Sequence, residues 1–291
     1  MGKFISEEIQ KFVLKSLFDE EIILNKDSSW PKISIVTPSW NSAQFLERTI
    51  LSVLNQNYPN LEYIVIDGES TDRSVAIIKK YDKYLEHWIS EPDKGIYDAM
   101  NKGIRLASGD WVNFMNAGDV FYNSNSVSLL TKYFREDAVL IYGDVRISYD
   151  DFERTQYAKS FSRLWRGASC CHQSVFIKKQ ILAKLKFNLE YNLAADYELL
   201  CRVYLGGYQV SKVDVIISKV INGGQADIKR IEVLREFQKI ACSNFKTRAM
   251  LIYIRYQSLI LLERIKKCIK DYCPRQMVRF YMKHKYRLGK R

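Results

Sequence analysis

Acidic and amide side chains cluster directly after three short apolar runs of the chain. The clusters are Thr37-Pro38-Ser39-Trp40-Asn41, Asp67-Gly68-Glu69-Ser70-Thr71-Asp72 and Asn116-Ala117-Gly118-Asp119. An ionised carboxylate only accepts hydrogen bonds, so Asp67 suits a nucleobase edge or a ribose hydroxyl. Asp119 suits a divalent cation that bridges phosphate oxygens, since Mg²⁺ typically takes one or two carboxylates together with phosphates. Alternatively the clusters are turns or helix caps, a role open to Ser70 and Asp72.

A fourth polar stretch has two residues ahead of a predicted helix and three residues on it. These are Lys94, Gly95, Asp98, Asn101 and Lys102. The last three are spaced i, i+3 and i+4 and therefore share one helical face. Exposed amides and a cation before a helix favour phosphate, so the stretch predicts an anion-binding turn. For Lys102 a solvated polar face is the alternative.

A candidate general base lies in the second half of the chain, at Asp196. It opens an apolar helical pattern that continues through Leu199, Leu200 and Val203. At that position a carboxylate can cap the helix, act as a base, or do both. Glu198 is the second candidate, with a salt-bridging role as its alternative.

The elements that must position these residues alternate along the chain. Short apolar runs predict strands at residues 33–37, 62–66, 86–90 and 111–115, and helical spacing predicts helices at 47–54, 73–81 and 97–106. Further strands are predicted at 139–142, 174–177 and 209–213, with a helix at 196–204 and helical pattern after Asp227. Such alternation predicts an α/β fold with a doubly wound sheet, in which ligands bind beyond the carboxyl ends of the strands.

The four motifs in combination resemble the inverting family 2 glycosyltransferases with a GT-A fold, especially bacterial polysaccharide and O-antigen enzymes. The resemblance covers residues 32–224 and adds Asp-Lys-Gly-Ile-Tyr-Asp-Ala-Met-Asn-Lys-Gly, which begins at Asp93, to the three clusters above. It implies a Rossmann-like mixed sheet, a nucleotide-sugar donor with UDP favoured, and Mn²⁺ or Mg²⁺ as cofactor. The family's metal motif usually ends in two adjacent acidic residues, whereas this chain has Gly118 followed by Asp119.

The same resemblance implies a role for each matching residue. Nucleotide-sugar binding falls to Thr37, Pro38, Asn41, Asp67, Ser70, Asp72, Lys94, Gly95, Asp98 and Asn101. Asp119 becomes the side-chain metal ligand, and Asp196 the base that deprotonates the acceptor. His172 and Gln173 correspond to a position near the acceptor, although a lone histidine is more often a hydrogen-bonded structural residue.

Inverting sugar transfer needs one carboxylate base, and the diphosphate leaving group needs no proton if a metal neutralises its charge. A glycosidase instead needs two carboxyl groups that flank the scissile bond. A nucleotide site with one metal carboxylate and one separate base therefore fits sugar transfer better. The resemblance further implies a hexosyltransferase in cell-surface polysaccharide biosynthesis. Its acceptor would be a glycan, in our expectation a lipid-linked one.

The expected organisation has three parts. Residues 1–30 form an N-terminal helical segment that ends at Trp30-Pro31. Residues 31–226 form the GT-A domain, with a nucleotide-sugar half at 31–120 and an acceptor half at 121–226. Residues 227–291 form a helical, basic extension.

The net charge of +12 lies entirely in the last part of the chain. Residues 241–291 hold 14 Lys and Arg against Glu263 and Asp271, and the preceding residues balance to zero. From Leu261 onward apolar and basic residues fall on opposite helical faces, which is typical of a helix on an anionic bilayer surface. A helix packed on the body with a solvated basic face is the alternative.

No secretory signal or membrane span is predicted, and the cysteines lack a Cys-x-x-Cys pair, so they are expected as free thiols. We therefore expect a cytoplasmic protein, peripheral on the inner face of the membrane. Two other classes of function stay open. One is a non-catalytic nucleotide-sugar or polysaccharide-binding protein of the same fold. The other, a nucleic-acid-binding protein, is motivated by charge alone, and no recognition module supports it.

Overall fold

The computed structural model describes residues 26–134, 137–149 and 151–272 of the 291-residue chain, with side chains described as far as Cys268. The predicted N-terminal helix up to residue 25 and the basic tail beyond residue 272 lie outside the described residues.

In the part of the chain that the structure describes, the centre is a nine-stranded mixed sheet. Its strands are β1 (Ile33–Ser39), β2 (Leu61–Asp67), β3 (His87–Ser90), β4 (Trp111–Phe114), β5 (Val120–Phe121), β6 (Leu140–Ser148), β7 (Glu153–Gln156), β8 (Val175–Lys178) and β9 (Val210–Ile221). The spatial order is β3-β2-β1-β4-β8-β6-β9-β5, and β7 pairs with β6.

The first half of the sheet is parallel and the second half is mixed. β1 pairs in parallel with β2 and β4, and β2 pairs in parallel with β3. β8 then enters between β4 and β6, antiparallel to both, while β6 and β9 are parallel. The parallel strands bring their carboxyl ends to one edge, as the alternation of strands and helices predicted.

Eight α-helices surround the sheet in the described residues. They are α1 (Ala43–Leu54), α2 (Ser74–Lys80), α3 (Ile96–Leu106), α4 (Lys179–Leu185), α5 (Ala195–Leu205), α6 (Gln225–Ile228), α7 (Arg230–Asn244) and α8 (Ala249–Tyr272). Short 3₁₀ turns lie between them, including Phe161–Arg166 and His172–Ser174.

The central strands are buried on both faces because their successive side chains enter two different cores. In β1, Ile33 and Ile35 pack with the side chains of α1, whereas Val36 packs with those of α3. In β2, Val65 and Ile66 divide in the same way. This period-2 alternation along a strand that is buried on both faces is what a doubly covered parallel strand requires.

Helix α3 lies unusually close to β1. A Cβ atom added to Gly103 would come within 2.3 Å of a methyl group of Val36, so only glycine fits at this crossing. The helix that follows the Lys94-Gly95 turn is thereby fixed against the central strand.

The predicted strands and helices are confirmed, with boundaries shifted by a few residues, and α6–α8 confirm helical pattern after Asp227. β6 and β9 are longer than predicted, and two strands were missed. β5 has only two residues, and β7, with the sequence Glu-Arg-Thr-Gln, has no apolar pattern.

Candidate functional site

The loops after β1 and β2 are tied to each other by hydrogen bonds. The backbone N–H of Asn41 donates to Ser70 Oγ at 2.8 Å, and Thr71 N–H donates to Asn41 Oδ1 at 2.9 Å. Ala43 N–H donates to Asp72 Oδ2 at 3.0 Å. Asn41 adopts a positive φ of 46°, a conformation that asparagine tolerates better than most residues. The first two sequence clusters therefore form one rigid double loop.

Asp67 is fully buried at the base of this double loop. Its two oxygens accept hydrogen bonds from the Ser70 N–H at 2.9 Å, the Ser70 hydroxyl at 2.5 Å and the Ser90 hydroxyl at 2.7 Å. Thr37 and Pro38 are also buried, and the Thr37 hydroxyl bonds the Tyr63 hydroxyl at 3.0 Å. The buried side chains of Asp67 and Thr37 therefore hold the loops in place. Asn41 and Asp72 are exposed on the surface of the double loop.

The turn before α3 packs against the double loop. A Cβ atom at Gly68 would lie 2.4 Å from Asp93 Oδ2 and 3.4 Å from Trp40, so the three segments meet at this glycine. The N–H groups of Gly95 and Lys94 donate to Asp93 Oδ1 at 2.7 Å and Asp98 Oδ2 at 3.1 Å. The turn for which anion binding was predicted is exposed, and its own carboxylates accept hydrogen bonds from two of its amides. Anion binding there stays a prediction.

The other polar residues of α3 face the protein. Asn101 is buried, and its amide bonds Phe187 in both directions, donating to the carbonyl and accepting from the N–H at 2.9 Å each. Lys102 is buried too, donating to Pro92 O at 2.6 Å and pairing with Glu91 at 2.8 Å. These contacts replace the solvated face considered for Lys102. A donor contact for Asn101 stays a prediction.

Asp119 lies at the end of the loop after β4 and is held by residues from two other elements. Its Oδ2 accepts a hydrogen bond from Gln173 Nε2 at 2.7 Å, and Thr49 of α1 donates to its backbone carbonyl at 2.8 Å. Burial raises the pKa of Asp119 to about 6, although the Gln173 hydrogen bond and the nearby His172 and Arg48 oppose this change. The carboxylate is thus short of positive partners.

This donor set fits a divalent cation shared with phosphates, but not one held by protein alone. The described residues contain no group of three or more His, Cys, Asp or Glu side chains that could hold a metal. One carboxylate is nevertheless enough for Mg²⁺ when phosphate and water complete the shell. Asn116 Oδ1, a buried oxygen without a hydrogen-bond partner, offers a second oxygen ligand in the same loop.

Gly118, which stands in place of the second acid of the metal motif, has a backbone conformation that disfavours a side chain. Gly118 has φ +108°, a region that side chains rarely adopt, and its Cβ would lie 3.2 Å from Arg48 Nη2. Arg48 donates to the Gly118 carbonyl, and the Nε and Nη1 atoms of Arg48 are buried without partners. Burial lowers the pKa of Arg48 to about 10. A guanidinium therefore lies beside the position where the family places an acid.

Asp196 is bonded by two side chains from distant parts of the sequence. His172 Nδ1 lies 3.1 Å from Asp196 Oδ2, and the Tyr97 hydroxyl donates to Asp196 Oδ1 at 3.0 Å. On the other side of the imidazole, Asn116 Nδ2 lies 3.0 Å from His172 Nε2. Since the amide nitrogen can only donate, His172 Nε2 accepts from Asn116, and His172 Nδ1 donates to Asp196.

The chain of contacts Asn116–His172–Asp196–Tyr97 lies next to the Gln173–Asp119 contact. Consecutive residues of the His172–Ser174 turn thus contact the two predicted functional carboxylates, one each. The structure brings together Asp119, Asp196, His172 and Gln173 as one cluster at the edge of the sheet. The loops that carry the predicted nucleotide-binding residues form the other cluster.

Burial alone would raise the pKa of Asp196, but the His172 hydrogen bond, the Tyr197 N–H and the Tyr97 hydroxyl lower it overall. The side chain is therefore ionised at neutral pH, as a proton acceptor must be. The capping alternative for Asp196 is wrong, since Ala194 is the N-cap and α5 begins at Ala195. Glu198 forms a salt bridge with Arg202 at 2.8 Å, as its alternative predicted.

Sequence reasoning gave no role to Tyr97, Asn116 or Arg48. Tyr97 and Asn116 stand inside the quoted motifs, and their polar side chains next to predicted site residues were the available clue. Arg48 lies within the amphipathic pattern of α1, where a charged residue is expected on the solvent face and gives no sign of a functional role.

The fold is that of a GT-A glycosyltransferase. The family model described as Glycosyl transferase family 2 matches residues 34–196, more than half of the chain, and the protein belongs to this family. A PGL/p-HBAD biosynthesis glycosyltransferase of Mycobacterium bovis is 30% identical over 180 residues, which are 60% of this chain and 70% of the relative.

Two solved structures share the fold. The mannosyltransferase PcManGT from Pyrobaculum calidifontis, in complex with GDP-Man and Mn²⁺, superimposes with a TM-score of 0.60 at 14% identity, over 96% of this chain and 86% of that one. S. aureus TarS 1-349 in complex with UDP gives a TM-score of 0.58 at 18% identity, over 73% of this chain and 66% of that one.

Proposed function

We propose that the protein transfers a sugar from a nucleotide-sugar donor to a glycan acceptor with inversion. The observation that carries the proposal is the position of Asp196, an ionised carboxylate at the start of α5, oriented by His172 and Tyr97 next to the Asp119 loop. The structural neighbours crystallised with UDP and with GDP-Man and Mn²⁺ support a nucleotide-sugar donor and a divalent cation.

In the proposed reaction the acceptor hydroxyl gives its proton to Asp196 as its oxygen attacks the anomeric carbon. The new glycosidic bond forms while the bond from that carbon to the diphosphate breaks, and the electron pair leaves with the nucleoside diphosphate. Attack from the face opposite the leaving group inverts the configuration. His172 and Tyr97 fix the two oxygens of Asp196, so the base is presented in one orientation.

Mn²⁺ or Mg²⁺, held by Asp119 and the donor phosphates, would neutralise charge on the leaving group. Asn116 would add an oxygen ligand. The double loop of Asn41, Ser70 and Asp72 would line the nucleotide pocket above Asp67, with UDP as the favoured nucleotide. The Lys94-Gly95 turn, Asp98 and Asn101 would lie on the diphosphate or ribose side, and His172 and Gln173 on the acceptor side.

The domain division and the cellular setting belong to the same proposal. Residues 31–226 would form the catalytic domain, with donor and acceptor halves meeting at residue 120, and residues 227–291 a basic extension. A lipid-linked acceptor and attachment of that extension to an anionic membrane would place the enzyme at the inner face of the membrane, in cell-surface polysaccharide synthesis. Among the described residues, no helix is long and apolar enough to cross a bilayer.

The test is a screen of UDP-, GDP- and dTDP-sugars with Mn²⁺, scored by thermal shift and by release of nucleoside diphosphate. We expect one donor class to stabilise the protein and to be turned over. Asp119→Ala should lose the stabilisation, whereas Asp196→Asn should retain it and lose turnover. Stabilisation without any turnover in the unmodified protein would identify the non-catalytic binding protein instead.

A further inference from the structure

The C-terminal helix α8 has two apolar faces, of which one is covered. Ile252, Tyr256 and Ile260 are at most 5% exposed and pack into the core that also contains α5 and α7. The opposite face also carries large apolar side chains, and these are exposed. We call them the outer stripe: Met250, Leu251, Ile254, Leu261, Leu262 and Ile265.

The outer stripe is larger than the single apolar residues that are common on protein surfaces. The six side chains are 46–78% exposed and recur at helical spacing on one side of the helix axis. At 1.5 Å per residue the stripe is about 23 Å long. Scattered single apolar residues need no partner, but two apolar clusters in line on one side of a helix, with Ser258 between them, mark an interaction surface.

Basic residues flank the outer stripe on both sides. With 100° between successive residues, Arg255 and Lys266 fall on one flank and Arg264 on the other. Between Ala249 and Cys268, four basic residues (these three and Lys267) stand against Glu263, which pairs with Lys266 at 2.6 Å. An apolar stripe bordered by cations is the pattern of a helix that lies in the plane of an anionic bilayer.

We propose that the outer stripe of α8 docks this protein on an anionic membrane surface, with the helix axis parallel to the bilayer. A second copy of the chain fits less well, because self-association through this face would bring positive flanks together. The chain then continues through residues 273–291, which contain seven Lys and Arg and no Asp or Glu. Charge complementarity therefore selects the membrane.

The docked helix would hold the candidate base close to the bilayer. α8 packs on α7, and α7 packs on α5, which begins one residue before Asp196. Packed helices lie about 10 Å apart, so the axis of α5 is within about 20 Å of the axis of α8. This consequence rests on the proposed function, because it matters only if Asp196 acts on a lipid-linked acceptor. The docking itself does not depend on it.

The test measures binding of the full chain to phosphatidylcholine vesicles with and without 30% phosphatidylglycerol, at low and high salt. The stripe variant Ile254→Gln/Leu261→Gln/Ile265→Gln should bind anionic vesicles at least tenfold more weakly at every salt concentration. The charge variant Arg255→Gln/Arg264→Gln/Lys266→Gln should lose about fivefold per charge at low salt and nothing at high salt. Gln257→Ala, on the same helix, is the matched control.

The altered side chains are exposed, so the thermal midpoint and the helicity should not change. If the triple variant misfolds, the single variant Ile265→Gln takes its place. Binding of the stripe variant equal to that of the unmodified chain would overturn the proposal. So would a dimer that sediments as such without vesicles and dissociates in the stripe variant. Donor turnover without vesicles should be the same in all variants, and its absence in every one would count against the proposed function alone.

Discussion

His172 Nδ1 lies 3.1 Å from Asp196 Oδ2, on a turn whose next residue, Gln173, bonds Asp119. His172→Ala should reduce kcat by about 10- to 100-fold with little change in KM for the donor, because it removes a hydrogen bond to the base, together with the contact from Asn116. The pKa of Asp196 should rise when His172 no longer opposes burial, so the acidic limb of the pH–rate profile moves to higher pH.

His172→Asn is the matched control, since its amide nitrogen can take the place of Nδ1 as a donor. It should restore most of kcat and the acidic limb. Equal losses in both variants, without a shift in the pH profile, would leave His172 a merely structural residue.

Tyr97→Phe should lower kcat by about tenfold, the usual value of one hydrogen bond to a charged group. The ring keeps its stacking on Phe187, with centroids 5.5 Å apart, so the fold is preserved. Steady-state kinetics with a saturating donor measure the effect. Tyr157→Phe, at a tyrosine that is 71% exposed, should change nothing.

Gly118→Asp, which recreates the two adjacent acids of the family motif, should destabilise the protein by about 1–2 kcal/mol or more, because a side chain would adopt φ +108°. It should not tighten Mn²⁺ binding, since the new carboxylate would meet Arg48 first. Urea unfolding and metal titration give the two quantities. Gly118→Ala separates strain from charge, and Gly224→Ala, at φ −65° with open space around it, is the neutral control.

The lowered pKa of Glu62 should make the free energy of unfolding sensitive to acid. Burial alone would raise its pKa, but hydrogen bonds from Ser108, Ser34 and Lys32 lower it to about 2 from 4.5. A lowered pKa stabilises the folded state above pH 4.5, and this stability is lost as the pH falls toward 2. The contribution is at most about 3 kcal/mol at neutral pH.

Glu62→Gln should therefore reduce stability at pH 7 and flatten its dependence on pH below 4.5, measured by urea unfolding between pH 3 and 7. Asp214→Asn, at a side chain that is 89% exposed, should follow the unmodified protein. An unchanged slope in Glu62→Gln would assign the acid sensitivity to other carboxylates.

The sequence predicted those parts of the fold that depend on local pattern. Apolar runs between turn residues located β1 to β4, and the polar clusters after them do meet at one edge. β5 and β7 were missed because their own residues carry no strand pattern. They are strands because they pair with β9 and β6, respectively.

The site shows the same limit. Asp98, Asn101 and Lys102 were placed on one helical face, but spacing cannot say whether that face meets a ligand or, as for Asn101, the loop at Phe187. Tyr97 and Asp196 are 99 residues apart and meet because β8 and α5 fold back across the sheet. Contacts of this kind follow from the topology of the fold, and the spacing of residues in the sequence does not predict them.

The N-terminal end of helix α3 connects the two clusters of the site. This end follows the Lys94-Gly95 turn, and within its first two residues Tyr97 reaches the base. If donor phosphates move the turn, the orientation of Asp196 must change with it, and linkage requires that acceptor binding at Asp196 alter donor affinity by the same factor. Cooperative binding of donor and acceptor would then follow from the geometry of one helix and not from a mobile lid.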